Sequence, residues 1–181
     1  MSYDAKAIAN YFLDLGAEDR KPITPLKMQK LVYFTHGWNL AIKHLPLLNE
    51  RVEAWKFGPV IPSLYQAFKI VGGGPINEKA KDISVDLEGK WKVTEPTIDR
   101  NLFTSPEQDE FSKSLLRRIW KVYGKFSGEQ LSQMTHEPGS PWAMTRQKFG
   151  DVKNLDIPDD LIEQYFVALA ASRRQPANEP A

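Results

Sequence analysis

The most regular pattern of apolar and polar positions lies between Thr24 and Phe68. Thr24 and Pro25 are typical of an N-cap and a first helical residue, because proline there loses only an N–H that has no intrahelical partner. We therefore predict a helix that begins at Pro25. At about 100° per residue, one broad stripe of this helix is mostly apolar, with Phe34 beside it, and we expect it to be the core face. The stripe consists of Met28, Leu31, Thr35, Trp38, Ile42 and Leu45.

The opposite side of the same helix does not have the pattern of a solvated face. Gln29, Tyr33 and His36 share it at spacings of i, i+4 and i+7, and Leu40 flanks them. We predict that the helix is buried on much of its circumference. We also predict that the three polar side chains form a hydrogen-bonded cluster that fixes the next strand and turn against the helix, since buried polar groups need partners.

The segment after this helix has the pattern of a strand, a sharp turn and a second helix. The run RVEAWKF, which ends at Phe57, favours a short strand. Gly58 and Pro59 should end it, because proline cannot donate to a ladder and the residue before proline avoids helical backbone angles. Pro62 then opens the helix SLYQAFKIV. If the strand lies at a sheet edge, a partner chain could add a strand to it.

One helix precedes this region and a turn follows it. The segment from Asp4 to Leu15 is amphipathic, and Gly16 is expected to stop that helix. The glycines at 72–74, followed by Pro75, predict a turn or hinge, because they lack the spacing of a phosphate-binding loop.

Residues 82–93 alternate between polar and apolar positions, which is typical of a β-hairpin. A three-residue loop is expected, because it pairs Leu87 with Trp91 and Val85 with Val93 on one face. An isolated hairpin is marginally stable in water and needs further support. The strand before the GPV turn is the nearest candidate for that support.

Helix-capping signals divide the second half of the chain. Ser105 with Pro106, and Ser127 with Gln130, are typical of helix starts, and Gly124 is typical of a helix end. The first of these helices has an apolar stripe of Phe111, Leu115, Ile119 and Val122. Two further helices are expected to start at prolines, near Pro141 and Pro158.

These elements together predict a mainly α fold, α+β by mixture. We expect a single domain at residues 1–174, with about six or seven helices around the central helix and a small antiparallel β element. The C-terminal segment 175–181, QPANEPA, has nothing to bury, and we predict that it is disordered.

Charge and composition narrow the possible partners. Lys and Arg number 24 against 23 Asp and Glu, so overall charge gives no attraction to nucleic acid or to an acidic membrane surface. No apolar run approaches the roughly 20 residues of a membrane-spanning helix, and we find no signal peptide and no cysteine. We expect a cytoplasmic protein.

One face of the helix that contains Lys113 is basic. The simpler interpretation of this face is a solvated surface. The face consists of Arg117, Arg118, Lys121 and Lys125.

The sequence lacks the patterns of catalytic, metal and cofactor sites. No Gly-x-Ser-x-Gly, Ser-x-x-Lys, His-Glu-x-x-His or EF-hand spacing occurs. His36 and His44 point about 80° apart on the central helix, which is too divergent for one ion. His136 is expected to bond the carbonyls at a helix C-terminus. We therefore expect a protein that is not an enzyme and that needs no cofactor.

Three segments between Ile23 and Trp142 resemble the signature of a known family. In order, they are LKMQKLVYFTHGW, PLLNERVEAWKFGPVIPSLYQAF and LSQMTHEPGSPW, and together they resemble the Panacea domain of the SocA-like or GepA-like phage-associated antitoxins. Several spaced motifs in the same order make this resemblance fairly specific. The motif positions in this sequence are Gln29, Lys30, Tyr33, His36, Trp38, Gly58, Pro59, Thr135, His136, Pro141 and Trp142.

The resemblance implies an antitoxin that neutralises a toxin encoded beside it. The family generally acts by direct protein contact, and one branch delivers the toxin to a protease. The implied partners are therefore a cognate toxin and, in that branch, a cellular protease. The alternative is a DNA-binding regulator, of its own operon or of phage origin, since many antitoxins repress their own operon. The one basic candidate for a recognition helix runs from Lys113 to Lys125.

The aromatic residues of these motifs have two interpretations. Trp38, Trp55 and Trp142 are expected to be core residues, because large aromatic side chains dominate core burial. Alternatively, Trp55 and Trp142 surround a groove together with Tyr33 and Tyr65, since partly exposed Tyr and Trp are good interface anchors.

The GPV turn is the expected contact point for a partner. It places charged and aromatic side chains at a corner between a strand and a helix, and turns on rigid scaffolds are common binding sites. The predicted partner-binding residues are Trp55, Lys56, Phe57, Val60 and Tyr65.

Overall fold

The computed structural model describes residues 2–100 and 104–173. Within them the chain is mainly α with a small antiparallel β component, as predicted. The described helices are α1 (Ala5–Glu18), α2 (Pro25–Lys43), α3 (Pro62–Phe68), α4 (Pro106–Tyr123), α5 (Gly128–Thr135), α6 (Pro141–Phe149) and α7 (Asp159–Ser172). The described strands are β1 (Val52–Trp55), β2 (Gly58–Val60), β3 (Asp82–Val85), β4 (Trp91–Thr94) and β5 (Asp156–Ile157). The segment 175–181 lies outside the described residues.

Helix α2 is the centre of the fold, and α1, α3, α4, α5 and α7 all pack against it. Its start is the predicted one, with the Thr24 hydroxyl accepting a hydrogen bond from the Lys27 amide at 3.3 Å and Pro25 in the first turn. Most of its residues are buried, which confirms that the helix is enclosed on much of its circumference. It ends at Lys43 and is capped by His44, whose φ of 55° is left-handed.

The apolar stripe of α2 is buried only over the first part of the helix. Met28, Leu31 and Thr35 are fully buried, as predicted. Ile42 and Leu45, however, are 51% and 56% exposed, so the prediction was wrong at the C-terminal end. The physical reason differs between the two: the last turn of α2, with Ile42, reaches a surface groove between α2, α4 and α7, whereas Leu45 follows the end of the helix.

Trp38 lies at the transition between the buried and exposed parts of α2 and is only partly buried. Its indole N–H donates to the Tyr123 hydroxyl at 3.2 Å, and its ring meets the Phe166 ring edge-on at 5.3 Å between centroids. We predict that Trp38→Ala lowers the free energy of unfolding by about 2–3 kcal/mol, below the usual cost for a fully buried aromatic. Urea denaturation measures this. Trp38→Phe is the control, because it keeps ring packing and should cost about 1 kcal/mol.

A three-stranded antiparallel sheet in the order β2-β1-β5 lies beside α2. Because β1 is paired on both sides, the prediction that a partner could extend it at an edge was wrong. Gly58 and Pro59 do not end the β structure but form β2, with Pro59 opposite Ala54. The proline is tolerated because β2 is itself an edge strand. Strand β5 is two residues long, and no pattern in the sequence predicts it.

The hairpin of β3 and β4 forms a separate two-stranded sheet, so the expected support from β1 is absent in the described residues. The predicted register was also wrong, because Val85 pairs with Trp91 and Ile83 pairs with Val93. The loop is longer than predicted because the Asp86 carboxylate accepts hydrogen bonds from two loop amides, both at 2.9 Å.

Helix α1 does not stop at Gly16 but continues to Glu18, where the Asp19 amide bonds the Leu15 carbonyl at 3.1 Å. The role of Gly16 is instead to allow a close approach of the returning chain. A Cβ at this position would lie 2.9 Å from the carbonyl oxygen of Lys21. Gly16 therefore marks tight packing and not the helix end that the sequence pattern predicts.

The predicted caps of the second half are confirmed. Ser105 and Ser127 each accept a hydrogen bond from the amide three residues later, and Ser127 forms the full capping box with Gln130. Gly124 caps α4, although Val122 at the end of its apolar stripe is 39% exposed and so is not a core residue. Among the described helices, no segment combines the length and apolar character needed to cross a membrane.

Candidate functional site

The candidate site is built on the tight turn between β1 and β2, which a buried lysine holds from below. Lys30, on α2, is completely buried, and its ammonium donates to the carbonyl oxygens of Phe57 at 2.7 Å and Pro59 at 3.0 Å. No carboxylate among the described residues forms an ion pair with it. Burial lowers the pKa of Lys30 to about 7, because a charged ammonium loses its hydration there. The lysine therefore acts as a backbone clamp.

Gln29 is a second clamp on the same segment. Its amide group exchanges two hydrogen bonds with the backbone of Ile61, donating to the carbonyl at 3.1 Å and accepting from the N–H at 2.8 Å. Ile61 is the N-cap of α3 and has no side-chain cap of its own. Gln29 thus satisfies backbone groups where the chain passes from β2 into α3. This part of the predicted polar cluster is confirmed.

Helix α5 closes the turn from the other side. The Ser132 hydroxyl donates to the Phe57 carbonyl at 2.9 Å. Gly58 has a φ of 101°, and a Cβ there would lie 2.6 Å from the Lys30 ammonium and 2.7 Å from the Thr135 hydroxyl oxygen. The position therefore needs glycine both for its backbone angle and for space.

The third motif reaches the same hairpin through Trp142. Its indole N–H donates to the Trp55 carbonyl at 2.7 Å, and its ring contacts the His136 ring at 3.9 Å between centroids. His136 Nδ1 lies 2.6 Å from the Ser132 carbonyl oxygen, which confirms that this histidine bonds the end of a helix. Pro141 starts α6 and so sets the position of Trp142. Segments far apart in sequence thus converge on one turn.

Above these clamps, the hairpin presents an exposed surface. Phe57 is 66% exposed, Tyr65 is 42% exposed, and the Trp55 ring meets the Tyr65 ring edge-on at 4.8 Å between centroids. Lys56 is exposed, with its ammonium 5.6 Å from the centre of the Phe57 ring. We call Trp55, Lys56, Phe57 and Tyr65 the corner surface. Val60, which the sequence placed here, is only 8% exposed and packs inward.

Two members of the predicted polar cluster lie elsewhere. Tyr33 is buried with its ring edge-on to Phe166 at 5.9 Å between centroids, so the predicted groove that included Tyr33 does not form. The His36 Nε2 lies 2.9 Å from an Asp159 carboxylate oxygen and fixes the start of α7. The cluster was therefore wrong as a unit, because neighbouring positions on α2 face different elements. Trp38, Trp55 and Trp142 are all partly buried. Their exposure is therefore intermediate between that of core residues and that of residues lining an open groove.

Sequence reasoning missed the role of Lys30. A lysine within an apolar helical pattern is normally interpreted as solvated, since lysine is rarely fully buried. The signal that could have found it is its position in the second turn of an enclosed helix, next to Gln29.

No metal centre is visible in the described part of the chain, which contains no group of three or more His, Cys, Asp or Glu side chains that could hold an ion. His36 and His44 instead contact separate carboxylates, of Asp159 and Glu163. The basic face of α4 is exposed at Arg117 and the adjoining cations, whereas Lys113 is paired with Asp99 and Glu110.

The fold and the site define a mainly α protein in which a central buried helix clamps an exposed β turn. The sequence model described as "Antitoxin SocA-like, Panacea domain" matches residues 28–143, more than half of the chain. A curated relative, the "Antitoxin SocA" of Caulobacter vibrioides, is 38% identical over 143 residues, which cover 78% of this chain and 69% of the relative. No solved structure matches significantly. The chain belongs to the SocA-like antitoxin family with a Panacea domain.

Proposed function

We propose that this protein is the antitoxin of a toxin–antitoxin pair and that it neutralises its toxin by direct binding, without catalysis and without a cofactor. The observation that carries the proposal is family membership together with the 38% identity to a curated antitoxin over most of the chain. The matched region, residues 28–143, includes both the clamped turn and the helices that hold it.

The corner surface is the proposed contact for the toxin. Lys30, Gln29 and Ser132 fix the backbone beneath it, so the exposed rings are pre-organised, and binding costs little conformational entropy. Aromatic side chains on such a scaffold are typical interface anchors, with Lys56 as a charged group at their edge. A stable complex of this kind buries about 1,200–2,000 Å² in total.

We predict that the double variant Lys56→Glu, Phe57→Asp abolishes growth rescue when it is co-expressed with the toxin encoded by the neighbouring reading frame. Both side chains are exposed, so the melting temperature should stay within about 2 °C of the parent. Val60 is unsuitable for this test, because a buried aspartate there would unfold the hairpin.

The matched control is Lys92→Glu with Ile70→Asp, which makes the same kinds of change at exposed positions away from the corner surface. This control should rescue growth fully. Rescue by the Lys56→Glu, Phe57→Asp variant would place the toxin elsewhere on the protein. The next surface to reverse would be the basic face of α4, from Arg117 to Lys125.

Delivery of the bound toxin to a cellular protease is the second part of the proposal, and it rests on the family resemblance. The toxin half-life, measured after translation is stopped, should shorten when this protein is co-expressed. An unchanged half-life together with full growth rescue would mean that the protein acts by blocking the toxin alone.

A further inference from the structure

A groove of about 500 Å³ opens between the C-terminal parts of α2, α4 and α7, on residues that the corner surface does not use. Its floor is largely apolar and includes the exposed end of the α2 stripe. The main apolar residues lining it are Trp38, Ile42, Phe111, Leu115, Ile119 and Val122. Apolar side chains that line a groove at the surface are typical of a binding site.

The charged residues that line this groove are both cationic. They are Arg118 on α4 and Arg173 at the end of α7, and no carboxylate lines the groove. Within the described residues neither arginine forms an ion pair. The Arg173 guanidinium lies 5.6 Å from the centre of the Trp38 ring, which is part of the groove lining. The rim of the groove is therefore positive next to an apolar floor.

The shape of the groove matches one kind of ligand. From Phe111 to Val122, the α4 wall rises about 16 Å, which corresponds to about three turns of an incoming helix. An amphipathic helix buries apolar side chains at i, i+4 and i+7 in such a groove and leaves its polar face at the rim. Cations at that rim favour a ligand that carries carboxylates, because a ligand with cationic side chains would place like charges next to each other.

We infer that this groove binds an acidic amphipathic helix of a partner protein. The apolar face of the helix packs on Trp38, Ile42 and Leu115, and its Asp or Glu side chains pair with Arg118 and Arg173. The inference does not depend on the antitoxin role or on the corner surface, since the groove and the corner surface share no residue.

The test uses the full-length protein and a synthetic fluorescent helix of about 16 residues, with leucines at i, i+4 and i+7 and glutamates on the other face. The matched probe has lysine in place of each glutamate. Fluorescence anisotropy should show that the acidic probe binds at least about tenfold more tightly than the basic probe, with affinity falling as salt rises.

Variants then locate the binding. Arg118→Glu and Ile42→Asp should each weaken the acidic probe about tenfold or more, and both positions are exposed enough to be changed without unfolding. Arg117→Glu is the matched control: it makes the same change on the same helix, but Arg117 does not line the groove and lies over the Tyr11 ring. It should leave the affinity within about twofold.

Four results would overturn the inference. The first is equal binding of the two probes, and the second is equal weakening by Arg118→Glu and Arg117→Glu. The third is binding that appears only when residues 174–181 are removed, which would assign the groove to the chain's own C-terminal segment. The fourth is displacement of the probe by duplex DNA that is lost in the Arg118→Glu variant. That result would assign the positive rim of the groove to contacts with phosphate groups.

Discussion

Gly37→Ala is expected to lower the free energy of unfolding by about 2 kcal/mol or more. Helix propensity alone predicts the opposite sign, because alanine is favoured over glycine by about 1 kcal/mol in a helix interior. The expected change in the free energy of unfolding is nevertheless a loss, because α2 and α7 pack against each other at this position. A Cβ on Gly37 would lie 2.2 Å from a ring carbon of Phe166, and that ring is itself fully buried.

The Phe166 ring cannot move aside at low cost. It is packed edge-on against the rings of Tyr33, Phe34 and Trp38, so a shift would disturb the whole contact between α2 and α7. Urea denaturation followed by circular dichroism measures the loss. Gly73→Ala is the matched control, because nothing lies within 4 Å of a Cβ there, and it should be neutral or slightly stabilising.

A double-mutant cycle identifies the clash as the cause. Phe166→Leu removes ring atoms next to position 37, so the double variant Gly37→Ala, Phe166→Leu should be more stable than the sum of the two single effects by about 1 kcal/mol or more. Strict additivity, or a Gly37→Ala variant as stable as the parent, would mean that the two helices do not approach this closely.

Lys30→Met is the second change with a large expected effect, a loss of about 3 kcal/mol near pH 9. Methionine fills a similar volume but cannot donate, so the buried Pro59 carbonyl loses its bond from the lysine and Phe57 keeps only the bond from Ser132. A buried acceptor without a partner costs about 1–3 kcal/mol. Amide exchange of the β1–β2 turn should become faster in the variant, because the turn loses its clamp.

The effect of Lys30→Met should depend on pH with a definite sign. Burial lowers the pKa of Lys30 from 10.5 in the unfolded chain to about 7 in the folded protein. Below about pH 7, both states are charged, and burying the charge destabilises the fold. Between these two pKa values, Lys30 carries a proton in the unfolded chain but not in the folded protein, so the free energy of unfolding rises with pH. A neutral amine still has two N–H groups, enough for both carbonyls.

The measurable consequence is that the free energy of unfolding rises with pH in the parent by an amount that the Lys30→Met variant lacks. Between about pH 7 and pH 9, the parent should gain about 2 kcal/mol relative to Lys30→Met, which comes from the separation of the two pKa values. Lys69→Met, a change at an exposed lysine whose ammonium bonds the Gln66 side chain, is the control and should keep the parent's slope. A parent and a Lys30→Met variant with parallel stability curves would mean that Lys30 stays charged when folded.

Local signals in the sequence determined where most helices start and which fold class results. Thr24, Ser105 and Ser127 each cap the helix that the sequence assigned to them, because a cap depends on a side chain and an amide only three residues apart. The same locality explains why His136 was placed correctly against a carbonyl four residues earlier. The family resemblance also came from the sequence, since its motifs are spaced strings of residues.

Tertiary structure alone decided which faces are buried and what holds the candidate site. Ile42 is exposed, and Lys30 is enclosed, for the same reason: burial depends on which other elements reach a given turn of α2. The hairpin register followed hydrogen bonds of Asp86 that a pattern of alternation does not contain. Gly16 and Gly37 mark close approaches of distant segments, and a glycine carries no information about its neighbours. These features depend on contacts between residues far apart in the chain, which no local pattern specifies.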